Sequence, residues 1–290
     1  MKRFAQVAFL ACFLAVILAV PAGTLLFSKN NTSAYYENRA LAEWPEITAE
    51  GILDGSLAQS LETWYSDHAP GRATLLKIDT FLSMDVLHRP VVNDIVTTQD
   101  VLLPFLDYSE YTPAAYEATV DSMAVPFSKL NQHIQDCGGS FYFVGFPEQR
   151  IYFEDEFPDY LNNHENDMGE VYDDLGHPAD YYSTVDHHYN YYGAYAAYRS
   201  ILDTLAADGW DLPVLTEEDF TFRELPNPYI GSRNRKLYNL WPNEDRAVIA
   251  ELKDPIAYTR YDNGELSDKP LYVLPAAEEL PTTYNLYMGG

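Results

Sequence analysis

The sequence has few cysteines and few basic residues. Of two cysteines in 290 residues, Cys12 lies inside an apolar N-terminal run, so Cys137 has no disulfide partner in the rest of the chain. Eighteen lysines and arginines stand against 44 acidic residues, which gives a formal net charge of −26. A surface with this charge repels phosphate backbones. We therefore expect no nucleic acid partner, and no disulfide framework.

The N-terminus carries the one long hydrophobic run of the chain. Lys2 and Arg3 precede an apolar stretch over residues 4–27, which is long enough to cross a bilayer with its basic end in the cytoplasm. A cleaved signal peptide, cut after residues 20–22, is the alternative. We favour a signal anchor over residues 1–28, a tether over 29–45 and one α/β domain over 46–290. Both interpretations place the protein outside the cytoplasm, either anchored or secreted.

Residues 113–146 indicate the fold class. A helical pattern runs towards Cys137 and is stopped by Gly138 and Gly139. The next residues, 140–146 (SFYFVGF), form a short apolar run that predicts a buried strand. A helix, a glycine stop and an apolar strand in this order are typical of a layered α/β domain.

Asp186 and His188 are the candidate catalytic residues. They stand two positions apart, just before a predicted helix over 193–209. Activation of a hydroxyl needs a base and a group that orients the base, and this pair supplies both. Two alternatives stay open: Asp186 caps the helix, or Asp186 and His188 bind a metal, with His164 or His177 as a third ligand. We expect no metal and no cofactor.

Two tyrosines near this motif and two arginines later in the chain are candidate substrate contacts. Tyr189 and Tyr192 offer aromatic faces to a sugar ring, although such tyrosines also pack on helix faces. Arg233 and Arg235 offer positive charge to an anionic substrate, although surface ion pairs account for them equally well. Asp67 and His68 precede a Pro-Gly-Arg turn, so we expect a structural cap there, with Arg72 paired to an acid.

Three motifs in this order resemble the bacterial DHHW proteins. They are residues 37–41 (ENRAL) with Pro45, residues 64–72 (WYSDHAPGR), and residues 186–189 (DHHY) with 193–195 (GAY). Tyr189 stands where the family name has Trp. These proteins are similar to the SGNH-hydrolase-like domains of alginate O-acetyltransferases, and the resemblance covers nearly the whole chain from about residue 35.

The resemblance implies a flavodoxin-like three-layer α/β domain of the SGNH type, circularly permuted and preceded by a transmembrane helix. It implies that Asp186 orients His188 and that His188 is the general base for a serine later in the chain. The implied activity is that of an O-acetyltransferase or esterase on a cell-envelope polysaccharide. The implied protein partner is a multipass membrane acyltransferase.

No serine after His188 stands in the expected setting. Ser200 falls inside the predicted helix, Ser232 follows Gly231 in a predicted loop, and Ser267 lies in a polar turn. None has the Gly-x-Ser setting of an exposed nucleophile on a sharp turn. We therefore expect the serine C-terminal to Gly290, and this chain alone to be close to inactive. The alternative is a non-catalytic envelope module that binds glycan or partner proteins.

Overall fold

The computed structural model describes residues 2–27, 33–105, 113–146, 149–158, 161 and 178–287. They form a mixed α/β fold with small antiparallel sheets. The chain divides into two compact units, one of residues 1–89 with 235–240 and one of residues 90–234 with 241–290. His164 and His177, the candidate third metal ligands, lie outside the described residues.

Helix α1 in the first unit spans Lys2–Phe27. Its apolar part, Arg3–Leu26, is long and hydrophobic enough to cross a membrane. The helix therefore has the length and composition that the anchor prediction requires. The choice between anchor and cleaved signal stays a prediction, as does the division into anchor, tether and one domain.

The rest of the first unit is a short hairpin and three helices. The elements are β1 Ser33–Ala34, β2 Arg39–Ala40, α2 Ala49–Asp54, α3 Ser56–His68 and α4 Arg72–Phe81, followed by a π-helical turn Leu82–Val86. The Thr48 side chain accepts the Gly51 N–H at the start of α2. Gly55 ends α2 at φ 84°, a conformation that favours glycine, and α3 follows at once.

The described part of the second unit contains three small sheets, helices and single turns. Its helices are α5 Pro113–Asp136, α6 Gln149–Tyr152 and α7 Tyr191–Ala207, and α8 Ser232–Lys236 begins in it. Its 3₁₀ turns are Glu154–Glu156, Pro178–Tyr181, Glu217–Asp219 and Tyr284–Leu286. Its strands are β3 Val91–Val92, β4 Ile95–Thr97, β5 Leu102–Pro104, β6 Phe220–Glu224, β7 Val248–Leu252, β8 Arg260–Asp262 and β9 Glu265–Ser267.

The strands pair as local hairpins or through one long connection. Sheet β3-β4-β5 is a meander that carries the buried cluster of Val96, Val101 and Leu103, which packs with Phe157. β6 pairs with β7 from Phe220↔Leu252 to Glu224↔Val248. β8 and β9 are joined by Asn263 and Gly264, both at positive φ, as a two-residue hairpin turn requires.

The region 113–146 follows the prediction in its helix and departs from it in its strand. α5 is continuous through Pro126, and Gly138 at φ 80° follows its end, so the glycine stop is confirmed. Segment 140–146, predicted as a buried strand, is not part of any sheet among the described residues. Its side chains are half-buried or exposed, with Phe143 at 70% and Phe146 at 41%, so the described residues do not cover both of its faces. The three-layer, circularly permuted arrangement stays a prediction.

Candidate active site

The Asp-His motif lies in a loop just before α7, and backbone hydrogen bonds fix the two ends of this loop. Tyr182 and Tyr189 form an antiparallel bridge across the base of the loop, and the Asn190 N–H donates to the Tyr181 carbonyl at 2.7 Å. The Asn190 side chain caps α7 by accepting the N–H groups of Tyr192 and Gly193. Asn190 is thus the helix cap, which removes the interpretation of Asp186 as the cap.

A second chain segment closes against the loop at Val185. The Val185 carbonyl oxygen accepts the Arg233 N–H at 3.1 Å. A Cβ at Gly231 would lie 2.1 Å from the same oxygen, so only glycine allows this approach. Residues 229–233 are thereby held against the Asp-His motif, about 45 positions away in the sequence.

The Asp186 carboxylate is the hub of the site, with the residue 1% exposed. Oδ2 accepts the Ser232 N–H at 2.9 Å and the Tyr229 hydroxyl at 3.1 Å. Oδ1 accepts the His187 N–H at 2.7 Å and the Ser232 hydroxyl at 3.0 Å. Burial alone would raise the pKa of Asp186, but the Ser232 N–H and the His188 imidazole hold that pKa below its ordinary value. The carboxylate is therefore kept ionised.

His188 has the geometry of an oriented base. Its Nδ1 lies 2.8 Å from Oδ1 of Asp186, which fixes the proton on Nδ1 and leaves Nε2 as the basic nitrogen. The imidazole is stacked on the Tyr284 ring, with centroids 3.5 Å apart and planes at 9°. About a third of the side chain is exposed. Asp186 and His188 are thus brought together as predicted, while their catalytic role stays a prediction.

His187 lies beside the pair with a different environment. Its Nδ1 lies 2.9 Å from the Ser232 hydroxyl and 3.3 Å from Oδ1 of Asp186. Burial and the neighbouring His188 lower the pKa of His187, against the pull of Asp186. Nδ1 of His187 thus contacts both Ser232 and Asp186, and more than half of the His187 side chain is exposed to solvent.

Ser232 is closer to the motif than the sequence suggested. It was expected in a loop, but it begins α8, directly after the close contact of Gly231 with Val185. Its hydroxyl contacts Asp186 and His187. A triad serine must reach the base nitrogen opposite the carboxylate, and this hydroxyl instead lies on the carboxylate. Ser232 therefore orients Asp186.

Of the other two serines, Ser200 lies as expected, whereas Ser267 belongs to a strand and not to the predicted polar turn. Ser200 is within α7. The Ser267 hydroxyl, in strand β9, donates to Asp262 at 2.7 Å. Neither position aims a hydroxyl at His188.

Three groups at this site are close enough to share a metal ion. One donor atom each from Asp186, His187 and His188 lies within 4.8 Å of the others. Both carboxylate oxygens of Asp186, however, already accept hydrogen bonds from the Ser232 and Tyr229 groups. Because a carboxylate has about four acceptor sites and Asp186 also holds the His187 N–H and the His188 Nδ1, a metal would have to displace one of these donors, so the donor set fits an orienting acid better than a metal ligand.

The four candidate substrate contacts lie in different surroundings. Tyr189 packs on Tyr182 with ring centroids 4.7 Å apart, and Tyr192 is 48% exposed beside Tyr191. Arg233 is buried, and its guanidinium donates to the Leu102 carbonyl at 2.7 Å, to Gln149 and to the Asp186 carbonyl.

Arg233 therefore braces the loop from inside, since its long side chain reaches β5, and its charge is not presented to a ligand. Arg235 belongs to the first unit, where its guanidinium carbon lies 5.8 Å from the centre of the Tyr35 ring. Of the four predicted contacts, Tyr192 is the most exposed side chain.

Sequence reasoning missed Tyr229 and Tyr284, and it misread Ser232. Tyr229 and Ser232 contact Asp186 across more than 40 residues, and Tyr284 contacts His188 across nearly 100. Of these, only Ser232 had a local signal, since the preceding Gly231 has no side chain and can allow close approach of another backbone segment.

The first unit contains a separate charged cluster formed by the other two motifs. Arg39 donates to Asp67 through both terminal nitrogens, at 2.8 and 2.5 Å, and Arg72 pairs with Glu37. The expected pairing of Arg72 with an acid is confirmed, but the expected cap at Asp67 and His68 is wrong, because both residues lie inside α3 and Asp67 pairs with Arg39. Glu37, Asp67 and Arg72 border a cavity of about 410 Å³ that is also lined by Tyr36, His68 and Tyr238. Because the two acids are matched by two arginines, the cluster ties the chain together and offers no net charge to a ligand.

The comparisons with known proteins concern the fold. No family model and no curated protein matches the chain. The structure of PatB1 from Bacillus cereus matches with a TM-score of 0.50 and 20% identity, over 67% of this chain and 71% of that one. A structure of PatB1 with a sulfonyl adduct matches with a TM-score of 0.49 and 18% identity, over 67% and 69% of the two chains. Over about two thirds of its length the chain therefore has a fold similar to that of PatB1.

Proposed function

We propose that the chain carries the acid and the base of an SGNH-like acyl-ester enzyme, an O-acetyltransferase or esterase. The observation that carries this proposal is the 2.8 Å contact between His188 Nδ1 and an Asp186 carboxylate that is buried and kept ionised. A carboxylate on Nδ1 orients the ring and stabilises the imidazolium that forms when Nε2 takes a proton. The similar fold of PatB1 and the DHHW-like motifs agree with such a domain.

The nucleophile in this proposal is a serine C-terminal to Gly290. Its hydroxyl gives its proton to Nε2 of His188 while its oxygen attacks the carbonyl carbon of an acyl ester. The donor alcohol leaves with that proton, and the acyl group stays on the serine. A sugar hydroxyl, or water in an esterase, then attacks the acyl-enzyme, passes its proton to His188 and restores the serine.

The substrate in this proposal is a cell-envelope polysaccharide, met outside the cytoplasm by an enzyme anchored through α1. The helix length and composition support the anchor. An acyl donor on the far side of a membrane needs a carrier, so a multipass membrane acyltransferase is the proposed partner. Tyr192, exposed at the start of α7, is the proposed sugar contact.

The test uses the protein extended by the native coding sequence that follows Gly290, with a chromogenic acetyl ester as substrate. His188→Ala should lower kcat/KM at least about 1,000-fold, since the base and the nucleophile act as one unit. His187→Ala is the matched control and should stay within about tenfold, the scale of one lost hydrogen bond. Equal activity of wild type and His188→Ala would refute the proposal.

A non-catalytic envelope module is the second candidate function. It is favoured by one observation: the Ser232 hydroxyl, the described serine nearest the pair, lies on Asp186. In that case the extended protein would lack esterase activity, and His188→Ala would leave polysaccharide binding unchanged.

A further inference from the structure

Helix α4 and the π-helical turn after it bury polar residues and expose apolar ones. Four apolar side chains recur at spacings of three and four, which puts them on one face, and these are Leu75, Ile78, Leu82 and Val86. Each of the four is between 44% and 64% exposed. The buried residues of this stretch are Thr80 and Ser83, and the Thr80 hydroxyl donates to the Leu76 carbonyl at 2.8 Å. A helix on a water-exposed surface has the opposite arrangement, so the apolar face of α4 is suited to an apolar neighbour.

The turn before α4 contacts α1 within the first unit. A Cβ at Gly23 would lie 3.1 Å from Cγ of Pro70, and α4 begins two residues later at Arg72. Thr24, the next residue of α1, is buried, and α1 also contacts α3. The end of α1 is therefore packed directly against the turn from which α4 starts.

The position of Gly23 in α1 sets the level of this contact in a bilayer. Gly23 lies inside the 24-residue apolar span Arg3–Leu26, three residues before its end. At about 1.5 Å per residue and with the span centred, Gly23 lies about 13 Å from the midplane of a hydrocarbon core that is about 30 Å thick. Pro70 is consequently at the boundary between acyl chains and headgroups. Leu75 is at most about 8 Å farther along α4, which is about the depth of the headgroup layer.

We propose that α4 and the turn after it lie in the interface of the membrane from which α1 emerges, with the apolar face of α4 towards the acyl chains. The inference rests on the proposed anchoring through α1. The bilayer is the occupant of this face because α1 brings it to the start of α4, and a helix that lies along the surface places all four side chains at one depth. Zwitterionic lipid is sufficient, since a chain with a net charge of −26 has little electrostatic attraction to anionic lipid.

Quenching of a fluorescent dye by labelled lipid tests the contact. The full chain with Cys12→Ser and Cys137→Ser receives one new cysteine, which carries the dye, in phosphatidylcholine nanodiscs that hold one chain each. With a nitroxide on the lipid acyl chains, a dye at Ile78→Cys should lose at least about half of its emission, since an interfacial helix buries its apolar face about 5–10 Å deep.

Lys77→Cys is the matched control for this measurement. Lys77 is exposed like Ile78 but lies about 100° around the helix from it, on the side away from Leu75 and Leu82. Its dye should lose at most about half as much emission as the dye at Ile78→Cys, because it stays nearer to water. Equal quenching at the two positions would overturn the proposal.

A dye in α1 separates this contact from the anchor. Leu14→Cys lies near the middle of α1, so its dye should be quenched wherever α1 spans the bilayer. Quenching at Leu14→Cys without quenching at Ile78→Cys would refute the interfacial helix and leave the anchor standing. Quenching at neither position would refute the anchor and, with it, the interfacial helix.

A double substitution tests whether the apolar face itself holds α4 on the membrane. Ile78→Ser with Leu82→Ser should reduce the quenching of a dye at Val86→Cys at least about twofold, because less apolar area is left to bury. Both residues are exposed, so the helical circular dichroism should not change. Ile78→Leu with Leu82→Ile keeps the face apolar and should retain the quenching. Full quenching at Val86→Cys in the double serine variant would contradict the proposal.

Discussion

The Ser232 hydroxyl lies 3.0 Å from Oδ1 of Asp186. The Ser232 N–H holds the other carboxylate oxygen at 2.9 Å, so one residue clamps both oxygens of the acid. The acid is thereby fixed in the orientation in which Oδ1 also meets Nδ1 of His188. The serine nearest the pair in space is consequently a positioning residue in this account.

Ser232→Ala should weaken activity without removing it. The substitution deletes the hydroxyl contact but keeps the backbone N–H on Oδ2, so the expected fall in kcat of the extended protein is about tenfold, one hydrogen bond to a charged group. KM for a chromogenic acetyl ester should change little, because Asp186 is buried and acts through His188 in the proposed mechanism. A loss as deep as that of His188→Ala would instead make Ser232 the nucleophile.

Gly231→Ala should destabilise the second unit. The added Cβ would lie 2.1 Å from the Val185 carbonyl oxygen, a backbone atom that cannot move without displacing the Asp186 loop. The expected loss in the free energy of unfolding is about 3 kcal/mol, at the upper end of overpacking costs, measured by urea denaturation. Gly145→Ala is the control, because nothing lies within 4 Å of its added Cβ. Equal stability of the two variants would show that the Gly231 contact is not present in solution.

The first unit should lose stability between about pH 4 and pH 2. The guanidinium of Arg39 lowers the pKa of Asp67 to about 2, from an ordinary value near 3.8. A lowered pKa in the folded state stabilises the fold above the unfolded value, and this contribution is lost as pH falls through the folded value. The contribution of this buried carboxylate is about 2 kcal/mol.

The measurement is the pH dependence of unfolding free energy for wild type and Asp67→Asn. Because many acids titrate in the same range, only the difference between the two proteins reports on Asp67. Wild type should lose more stability than the variant from pH 4 to pH 2. Parallel curves would contradict the Arg39–Asp67 pairing.

Labelling of Cys137 can show on which side of the membrane the second unit lies. It is exposed just after α5, whereas Cys12 lies in α1. In intact spheroplasts a membrane-impermeant maleimide should label Cys137, and Cys137→Ser should remove the label because a lipid-embedded Cys12 does not react. Labelling that requires cell lysis would place the second unit in the cytoplasm and contradict the proposed location.

The sequence predicted what depends on local pattern. The apolar run predicted α1, the two glycines predicted the stop at Gly138, and the spacing of Asp186 and His188 predicted an acid beside a base. Contacts between distant segments could not be predicted in this way. Nothing local to Tyr229 indicates that its hydroxyl meets Asp186 from 43 positions away.

The burial of Arg233 could not be predicted from the sequence either, because it also depends on contacts with distant segments. An arginine in an acidic chain resembles a surface cation, and its inward turn depends on Gln149 and the Leu102 carbonyl, both far away in sequence. Segment 140–146 shows the converse. Its apolar run predicted a buried strand, but among the described residues the segment lies in no sheet and Phe143 is 70% exposed, because a ladder requires partner strands that no local pattern supplies.

Mapping of the acylated residue tests the central claim most directly. The extended protein is mixed with an activated acetyl ester, quenched within seconds and digested, and the acetylated peptide is identified by mass spectrometry. The account predicts one acetyl group on a serine C-terminal to Gly290, formed in wild type and His187→Ala and lost in His188→Ala and Asp186→Ala. Acetylation at Ser232, or the same acetylated serine in the His188→Ala protein, would contradict it.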